Sequence, residues 1–161
     1  MNTSLACLVV VVAATLARPV AADEPSDRVK RGEYVFRAAD CYSCHTDTEN
    51  HGPPLAGGNP IKTPFGTFYP PNITPDPNFG IGNWSDADFI RALRDGVSPN
   101  GENYYPAFPY AAFTKMSDQD ILDLKAYIFA QPAVSAPSRA HDVPFWLRWR
   151  VVVSGWKFLH F

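Results

Sequence analysis

The chain has 161 residues, of which 46% are hydrophobic, and a formal net charge of −2 at pH 7. This length suits one domain with a hydrophobic core, and the nearly neutral charge gives no indication of nucleic-acid binding. Its 16 prolines and 10 glycines indicate that much of the backbone is loop.

The first 22 residues are typical of a secretory leader. Leu5 to Ala17 is an uncharged, mostly apolar run that is too short to span a bilayer, and Arg18 ends it. Small residues at 20–22 offer a cleavage point before Asp23. We therefore predict a cleaved signal peptide at 1–22 and an exported chain from residue 23, with an uncleaved anchor as the alternative. Cleavage would also remove Cys7.

A first helix is predicted to begin at Ser26 or Asp27, either of which can cap it, and to end near Arg37. Its apolar face includes Gly32 beside Val29, Val35 and Phe36. Glycine costs helix stability, so Gly32 indicates a close approach to another helix.

The stretch from Cys41 to His45 has the sequence Cys-x-x-Cys-His, the signature of covalent c-type haem attachment. Two cysteines three residues apart lie on one face of a helical turn and can both reach one porphyrin, while His45 can bind its iron. A structural zinc site and a redox disulfide are the alternatives. The chain lacks a second cysteine pair for zinc, and no βαβ pattern surrounds the motif.

Residues 46–83 contain no long periodic segment, because eight prolines interrupt them: Pro53, Pro54, Pro60, Pro64, Pro70, Pro71, Pro75 and Pro77. A loop of this length is unusual inside a compact domain unless it serves a function. We expect it to wrap around the cofactor, which would replace the core that the loop itself cannot build.

Two further helices follow, each introduced by a Ser-x-x-Asp capping pattern. The first is predicted to begin after Ser85 and to stop at Gly96. The second begins after Ser117 and ends near Gln131, just before Pro132. With the remaining chain irregular, the sequence predicts an all-α, loop-rich domain.

Met116 is the candidate for the second axial ligand of the iron, because Met1 would leave with the signal peptide. The aromatic stretch Tyr105 to Tyr110 gives a stiff approach to it. The alternative is a methionine that fills a gap in the core. Loop or packing roles are favoured for the other histidines: His51, His141 and His160.

The last segment, 138–161, is aromatic and basic. One interpretation is that its aromatic side chains pack on the 23–137 domain as additional core. The other is that part of the segment docks on a partner or a membrane surface. The spacing of Trp146, Trp149, Arg150 and Trp156 predicts a helix with a mixed face rather than clean amphipathic stripes.

Together these motifs resemble one haem repeat of a known family, the multi-haem cytochrome c subunit of membrane-bound alcohol, gluconate and related dehydrogenases of the bacterial periplasm. The resemblance runs from about Gly32 to Phe161. It is carried by Cys41–His45, Ala56-Gly57-Gly58, Thr63-Pro64-Phe65-Gly66, Asn72-Ile73-Thr74-Pro75-Asp76, Gly80-Ile81-Gly82, Trp84-Ser85-Asp86 and Tyr105–Tyr110.

The resemblance implies a class I cytochrome c fold with terminal helices that cross near Gly32 and Tyr127, and one haem c ligated by His45 and Met116. It further implies that the Pro54 carbonyl orients His45 and that Asn72, Thr74 and Trp84 lie near the haem propionates. Tyr105 is a further candidate haem contact. Subunits of the family usually carry three such motifs, whereas this chain carries one.

The expected function is therefore a single-haem periplasmic electron carrier, with a periplasmic dehydrogenase as donor and another cytochrome or an oxidase as acceptor. A dedicated subunit of one dehydrogenase is the alternative with the same chemistry. A haem enzyme, such as a peroxidase or sulfur-compound oxidase, and a gas sensor are the others, and a methionine ligand argues against both.

Overall fold

The computed structural model describes residues 24–161, so the predicted signal peptide and Cys7 lie outside the described residues. The chain contains five helices and one two-stranded hairpin within this range, and its all-α, loop-rich character is as predicted. The elements are α1 (Pro25–Ala38), α2 (Cys41–His45), β1 (Ile61–Thr63), β2 (Gly66–Phe68), α3 (Asp86–Asp95), α4 (Asp118–Phe129) and α5 (Arg150–His160). Short 3₁₀ turns occupy Tyr110–Ala112 and Phe145–Arg148.

The capping patterns place the starts of α3 and α4 correctly. Ser85 and Asp88 form a reciprocal capping box, and Gly96 ends α3 in the left-handed conformation with φ +59°. Ser117 caps α4, which ends at Phe129, two residues before the predicted end. The predicted cap of α1 is wrong, since Glu24 occupies that position and Pro25 begins the helix. Proline suits this place because it needs no hydrogen-bond acceptor for its nitrogen.

Helices α1 and α4 cross at Gly32, as the sequence predicts. A Cβ atom on Gly32 would collide with the backbone carbonyl of Asp123 and lie 2.9 Å from Cβ of Tyr127. One turn further along α1, the rings of Phe36 and Tyr127 pack with their centroids 5.0 Å apart. Only glycine permits the two backbones to approach this closely.

A buried carboxylate links the same two helices. Asp123 is 1% exposed, and it accepts hydrogen bonds from Arg28 Nε at 3.2 Å, Arg31 Nε at 2.6 Å and Gln119 Nε2 at 2.8 Å. Burial by itself raises the pKa of Asp123, but the hydrogen bonds from the two arginines outweigh burial and hold the pKa below its ordinary value of 3.8. The ionised carboxylate therefore stabilises the helix crossing.

The proline-rich loop contains the hairpin, in which Ile61 lies opposite Phe68. Thr67 in β2 exchanges two backbone hydrogen bonds with Asp142, at 2.8 and 2.9 Å, and this pairing joins the C-terminal segment to the hairpin. A second link comes from Asn72, whose side-chain amide donates to the carbonyls of Val134 and Ala136 at 2.7 and 3.0 Å.

Two clusters of buried apolar side chains result. The larger one joins α1, α3 and α4 with the loop: Phe36, Leu55, Ile81, Phe89, Leu93, Ile121, Leu124 and Ile128. The smaller one joins the hairpin to the C-terminal segment: Phe68, Tyr105, Val143 and Val153. No helix within residues 24–161 has both the length and the apolar character needed to cross a membrane.

Replacing Asp123 by Asn is expected to lower the free energy of unfolding by about 1–3 kcal/mol at pH 7, because it removes charge-assisted hydrogen bonds to partly exposed arginines. Since the folded-state pKa of Asp123 is depressed, its contribution is fully present above about pH 4. The contribution is lost as the pH falls through the folded-state value. Urea unfolding at pH 7 and pH 3 measures this difference.

The matched control is Glu33→Gln, which removes an exposed ion pair within α1, to Arg37 at 2.7 Å. This change is expected to cost less than about 0.5 kcal/mol. If the two substitutions lower the free energy of unfolding equally at pH 7, a special role for Asp123 is contradicted.

Candidate cofactor site

A cavity of about 440 Å³ lies between α2, the loop, α3 and α4. Cys41, Cys44 and His45 form one wall, and apolar side chains such as Leu93 and Leu124 form others. The three residues of the sequence motif therefore face a common apolar space. This arrangement matches covalent attachment of a large, mostly apolar group through thioether bonds.

Local backbone geometry sets the position of α2. Asp40, directly before the helix, has φ 50° in the left-handed region, so the chain reverses between α1 and α2. The Asp40 carboxylate accepts a hydrogen bond from Ser43 Oγ at 2.7 Å, which stabilises this first turn. After this turn, the two cysteines of the short helix line the cavity.

His45 is held in one tautomer. Its Nδ1 atom lies 2.8 Å from the backbone carbonyl oxygen of Pro71, and because a carbonyl only accepts, Nδ1 must carry the proton. Burial lowers the pKa of His45, although the hydrogen bond to Pro71 opposes this effect. The ring is therefore neutral near pH 7, and its Nε2 lone pair is available to a metal ion.

The two cysteines are free thiols in this structure. Burial raises the pKa of the Cys41 thiol to about 12, whereas thiols that act as redox nucleophiles have lowered pKa values. The redox-disulfide interpretation is therefore disfavoured. In the described part of the chain, no group of three or more His, Cys, Asp or Glu side chains is arranged to hold a metal ion. The zinc interpretation thus has no ligand set there.

The residues fit a haem. Two thiols three residues apart match the two vinyl groups, a neutral imidazole next to them matches an axial ligand, and the walls are apolar. Arg139 and Arg150 also line the cavity and supply positive charge suited to the propionates. Haem, when bound, supplies one-electron chemistry through its iron, and the protein supplies ligation and burial.

Only some of the predicted haem contacts line the cavity. Asn72, Trp84 and Tyr105 line the cavity, whereas Pro54 and Thr74 are not among its lining residues. Pro71, rather than Pro54, presents its carbonyl to His45, because Pro54 is exposed in the turn before Leu55.

Asn72 and Thr74 bond to protein groups. Asn72 Oδ1 accepts from the backbone nitrogen of Thr74 at 2.9 Å and from its hydroxyl at 2.7 Å. The Asn72 amide donates to residues 134 and 136, as described above. These two side chains hold the loop against the chain that leaves α4, and a contact with the propionates stays a prediction.

Met116 packs against the larger apolar cluster and is partly buried, but it is not among the residues that line the cavity. Phe108, Pro109 and Phe113 line the cavity in that region. The Met116 carbonyl accepts a hydrogen bond from Arg94 at 2.8 Å, and its backbone nitrogen donates to Phe113 at 3.0 Å. The structure thus brings His45 and the cysteines together, and ligation by Met116 stays a prediction.

Several cavity residues were missed by sequence reasoning, and they include the basic residues Arg139, His141 and Arg150 of the C-terminal segment. Arg139 lies over the ring of Tyr69, 3.9 Å from its centroid, and Arg150 lies over that of Tyr105 at 4.2 Å. His141 also lines the cavity and accepts a hydrogen bond from the backbone nitrogen of Tyr69 at 3.1 Å. The basic excess of this segment was the only signal for them.

The aromatic side chains of the C-terminal segment form little additional core, contrary to one of the two interpretations of the sequence, although the ring of Phe161 packs edge to face on the buried Tyr110. Most of them are exposed, and the segment is attached mainly by Val143, Val153 and Leu147. The prediction of a mixed helix face is also wrong. Because α5 begins at Arg150, Trp146 and Trp149 lie outside it. Its exposed apolar residues occupy one face, and Arg150, Ser154 and Lys157 occupy the other together with the buried Val153.

Comparison with known proteins shows the family. Residues 29–130 match the Cytochrome c family. The chain is 41% identical over 152 residues to a diheme cytochrome c-type protein of Cereibacter sphaeroides, an alignment that covers 89% of this chain and 51% of the relative.

Two dehydrogenase subunits are also similar. The chain is 43% identical over 154 residues to the cytochrome c subunit of the quinone alcohol dehydrogenase of Gluconobacter oxydans, covering 95% of this chain and 32% of the relative. It is 41% identical over 153 residues to the gluconate 2-dehydrogenase cytochrome c subunit of Pantoea cypripedii, covering 93% and 34%. The chain thus spans about half the length of the first relative and about a third of the other two.

The family match extends from within α1 to the end of α4. It includes Cys41, Cys44 and His45 and most of the other residues that line the cavity. The chain belongs to the cytochrome c family, and this membership implies covalently bound haem c.

Proposed function

We propose that the chain is a single-haem cytochrome c that carries one electron at a time in the periplasm. Its donor is a periplasmic dehydrogenase, and its acceptor is another cytochrome or a terminal oxidase. The observation that carries the proposal is the convergence of Cys41, Cys44 and His45 on one apolar cavity, with His45 fixed by Pro71. One Cys-x-x-Cys-His motif in the sequence supports a single haem.

An electron-transfer role follows from what the protein supplies. The cavity provides a neutral imidazole, two thiols and apolar walls, which ligate and bury a haem. Three relatives are named as cytochrome subunits of an alcohol, a gluconate and a fructose dehydrogenase. We therefore infer that this chain transfers electrons and does not itself oxidise a substrate.

The periplasmic location rests on the sequence of residues 1–22, which has the apolar run and the small residues of a cleaved signal peptide. Cleavage after residue 22 would remove Cys7 and leave two cysteines in the exported part, and both belong to the haem-attachment motif. The dehydrogenase as donor rests on the names of the relatives.

A second candidate is a dedicated subunit that stays bound to one dehydrogenase. The relatives named as cytochrome c subunits of dehydrogenases favour it. Purification under mild conditions separates the two candidates. A free carrier is expected to elute alone and to be reduced by added dehydrogenase, whereas a fixed subunit is expected to co-purify with its catalytic chain in constant ratio.

Haem attachment gives the first prediction. The purified holoprotein is expected to retain its haem through acid–acetone extraction, because two thioether bonds hold it, and to contain one haem per chain in the pyridine haemochrome assay. Cys44→Ala should leave one thioether and shift the haemochrome band. Free haem in the extract of the parent protein would sink the assignment, and two haems per chain would contradict a single-haem carrier.

The second prediction concerns Met116. Met116→His is expected to keep the iron low-spin but to lower the midpoint potential by a sizeable fraction of the roughly 0.8 V over which axial ligands tune haem potentials. Met116→Ala is expected to open a coordination position to cyanide or carbon monoxide. Redox titration and absorption spectra measure both effects.

Met116→Leu is the matched control for packing, because it keeps the apolar volume that contacts the larger cluster while removing the sulfur. Ligation requires the leucine and alanine variants to lose the sulfur-to-iron charge-transfer band alike. An unchanged band and potential in all three variants would show that another residue ligates the iron.

A further inference from the structure

Helix α5 has its polar face towards the protein. Arg150, Ser154 and Lys157 recur at the spacing of one helical face, none of the three is exposed, and they lie beside one buried apolar residue, Val153. All three bond to Asn103: Arg150 donates to its carbonyl at 3.2 Å, Ser154 Oγ accepts from its amide at 2.9 Å, and Lys157 Nζ donates to its Oδ1 at 2.9 Å. Lys157 also donates to the carbonyl of Asp95.

The opposite face of α5 is apolar and exposed. It consists of Val151, Val152, Gly155, Trp156, Phe158 and Leu159, which we call the outer face. Phe158 is 88% exposed, Leu159 74% and Val151 73%. A helix on the surface of a protein in water normally has the reverse arrangement, with apolar residues inward and polar residues outward. The inversion indicates that the outer face meets an apolar medium.

The 3₁₀ turn before α5 extends this surface. Phe145, Trp146 and Trp149 are all exposed, and the rings of Phe145 and Trp149 pack edge to face with their centroids 6.2 Å apart. Arg148 lies exposed among them and has no ion-pair partner within residues 24–161. Three tryptophans, three phenylalanines and no acidic residue thus occupy positions 145–161.

We propose that the outer face of α5 and the turn before it lie in the interfacial layer of a lipid bilayer, with the helix axis parallel to the membrane plane. At 1.5 Å per residue, the 11 residues of α5 extend about 16 Å, roughly half of the hydrocarbon thickness. An amphipathic helix of this kind inserts its apolar face to the boundary between head groups and acyl chains.

The surface chemistry favours lipid over a protein partner. Phe158 protrudes from the helix, and a fluid medium accommodates such a side chain without the complementary pocket that a protein would need. The indole N–H groups of Trp146, Trp149 and Trp156 donate no hydrogen bond within the described residues, and head groups or interfacial water would accept from them. Arg148 suits the negative charge of anionic lipids.

The proposed orientation also positions the cofactor cavity. Arg150, the first residue of α5, lines this cavity, so one edge of it would lie close to the membrane surface. The proposal does not depend on the proposed function. A chain that binds vesicles but transfers no electrons would contradict only the proposed function. A chain that transfers electrons but does not bind vesicles would contradict only the membrane proposal.

The test is flotation of the haem-loaded full chain with vesicles of equal parts phosphatidylcholine and phosphatidylglycerol, followed by haem absorbance. The parent chain is expected to float with the vesicles. The double variant Phe158→Glu/Leu159→Glu should lower the ratio of bound to free protein at least about tenfold, because two carboxylates replace buried apolar groups. Both side chains are largely exposed, so the haem spectrum and the unfolding temperature should stay unchanged.

The matched control is Phe65→Glu, which places the same charge at an aromatic residue that is 59% exposed in the hairpin turn, outside the outer face. It should float like the parent. If the double variant fails to fold, Val151→Glu tests the same face with a single change. A parent chain that stays with the soluble fraction, or variants that float equally well, would overturn the proposal. A lipid-free dimer that Phe158→Glu dissociates would also overturn it, by assigning the face to a second copy.

Discussion

The crossing of α1 and α4 at Gly32 is the constraint on which the rest of the molecule depends. Because glycine lets the two backbones meet, α4 lies close enough for Leu124 and Ile128 to form one wall of the cavity. The left-handed Asp40 then joins α1 to α2, whose two cysteines line the same cavity. Buried Asp123 reinforces the contact through ionised hydrogen bonds rather than apolar packing.

The proline-rich loop completes the cavity from the other side. A few long-range hydrogen bonds, rather than regular secondary structure, hold this loop in place. The main ones join His45 to Pro71 and Asn72 to residues 134 and 136. The first of these bonds also selects the tautomer that presents Nε2 as a ligand. The hydrogen bond between His45 and Pro71 therefore both orders the loop and prepares His45 as an iron ligand.

The C-terminal segment has two roles at once in this structure. Its inward residues, including Arg150 and His141, reach the cavity or its immediate surroundings, and its outward residues form an apolar surface. Polar contacts to Asn103 and the buried side chain of Val153 together hold α5 in place, so its outer face is left available. This division explains why aromatic content alone was a poor guide, since large aromatic side chains can serve an external medium as well as a core.

Patterns within a few residues determined the attachment motif at Cys41, Cys44 and His45, the caps at Ser85 and Ser117, and the stop at Gly96. Gly32 also predicted a helix crossing, because glycine lowers helix stability and a close contact with another helix compensates for that loss. Such features follow from backbone geometry and spacing, which the sequence alone contains. Four other features depend on contacts between residues that are distant in sequence. They are the pairing of His45 with Pro71, the arginines around Asp123, the position of Arg150 at the cavity and the inverted face of α5. Only the tertiary structure decided them, since the chain path selects which of many equivalent carbonyls and charges become neighbours.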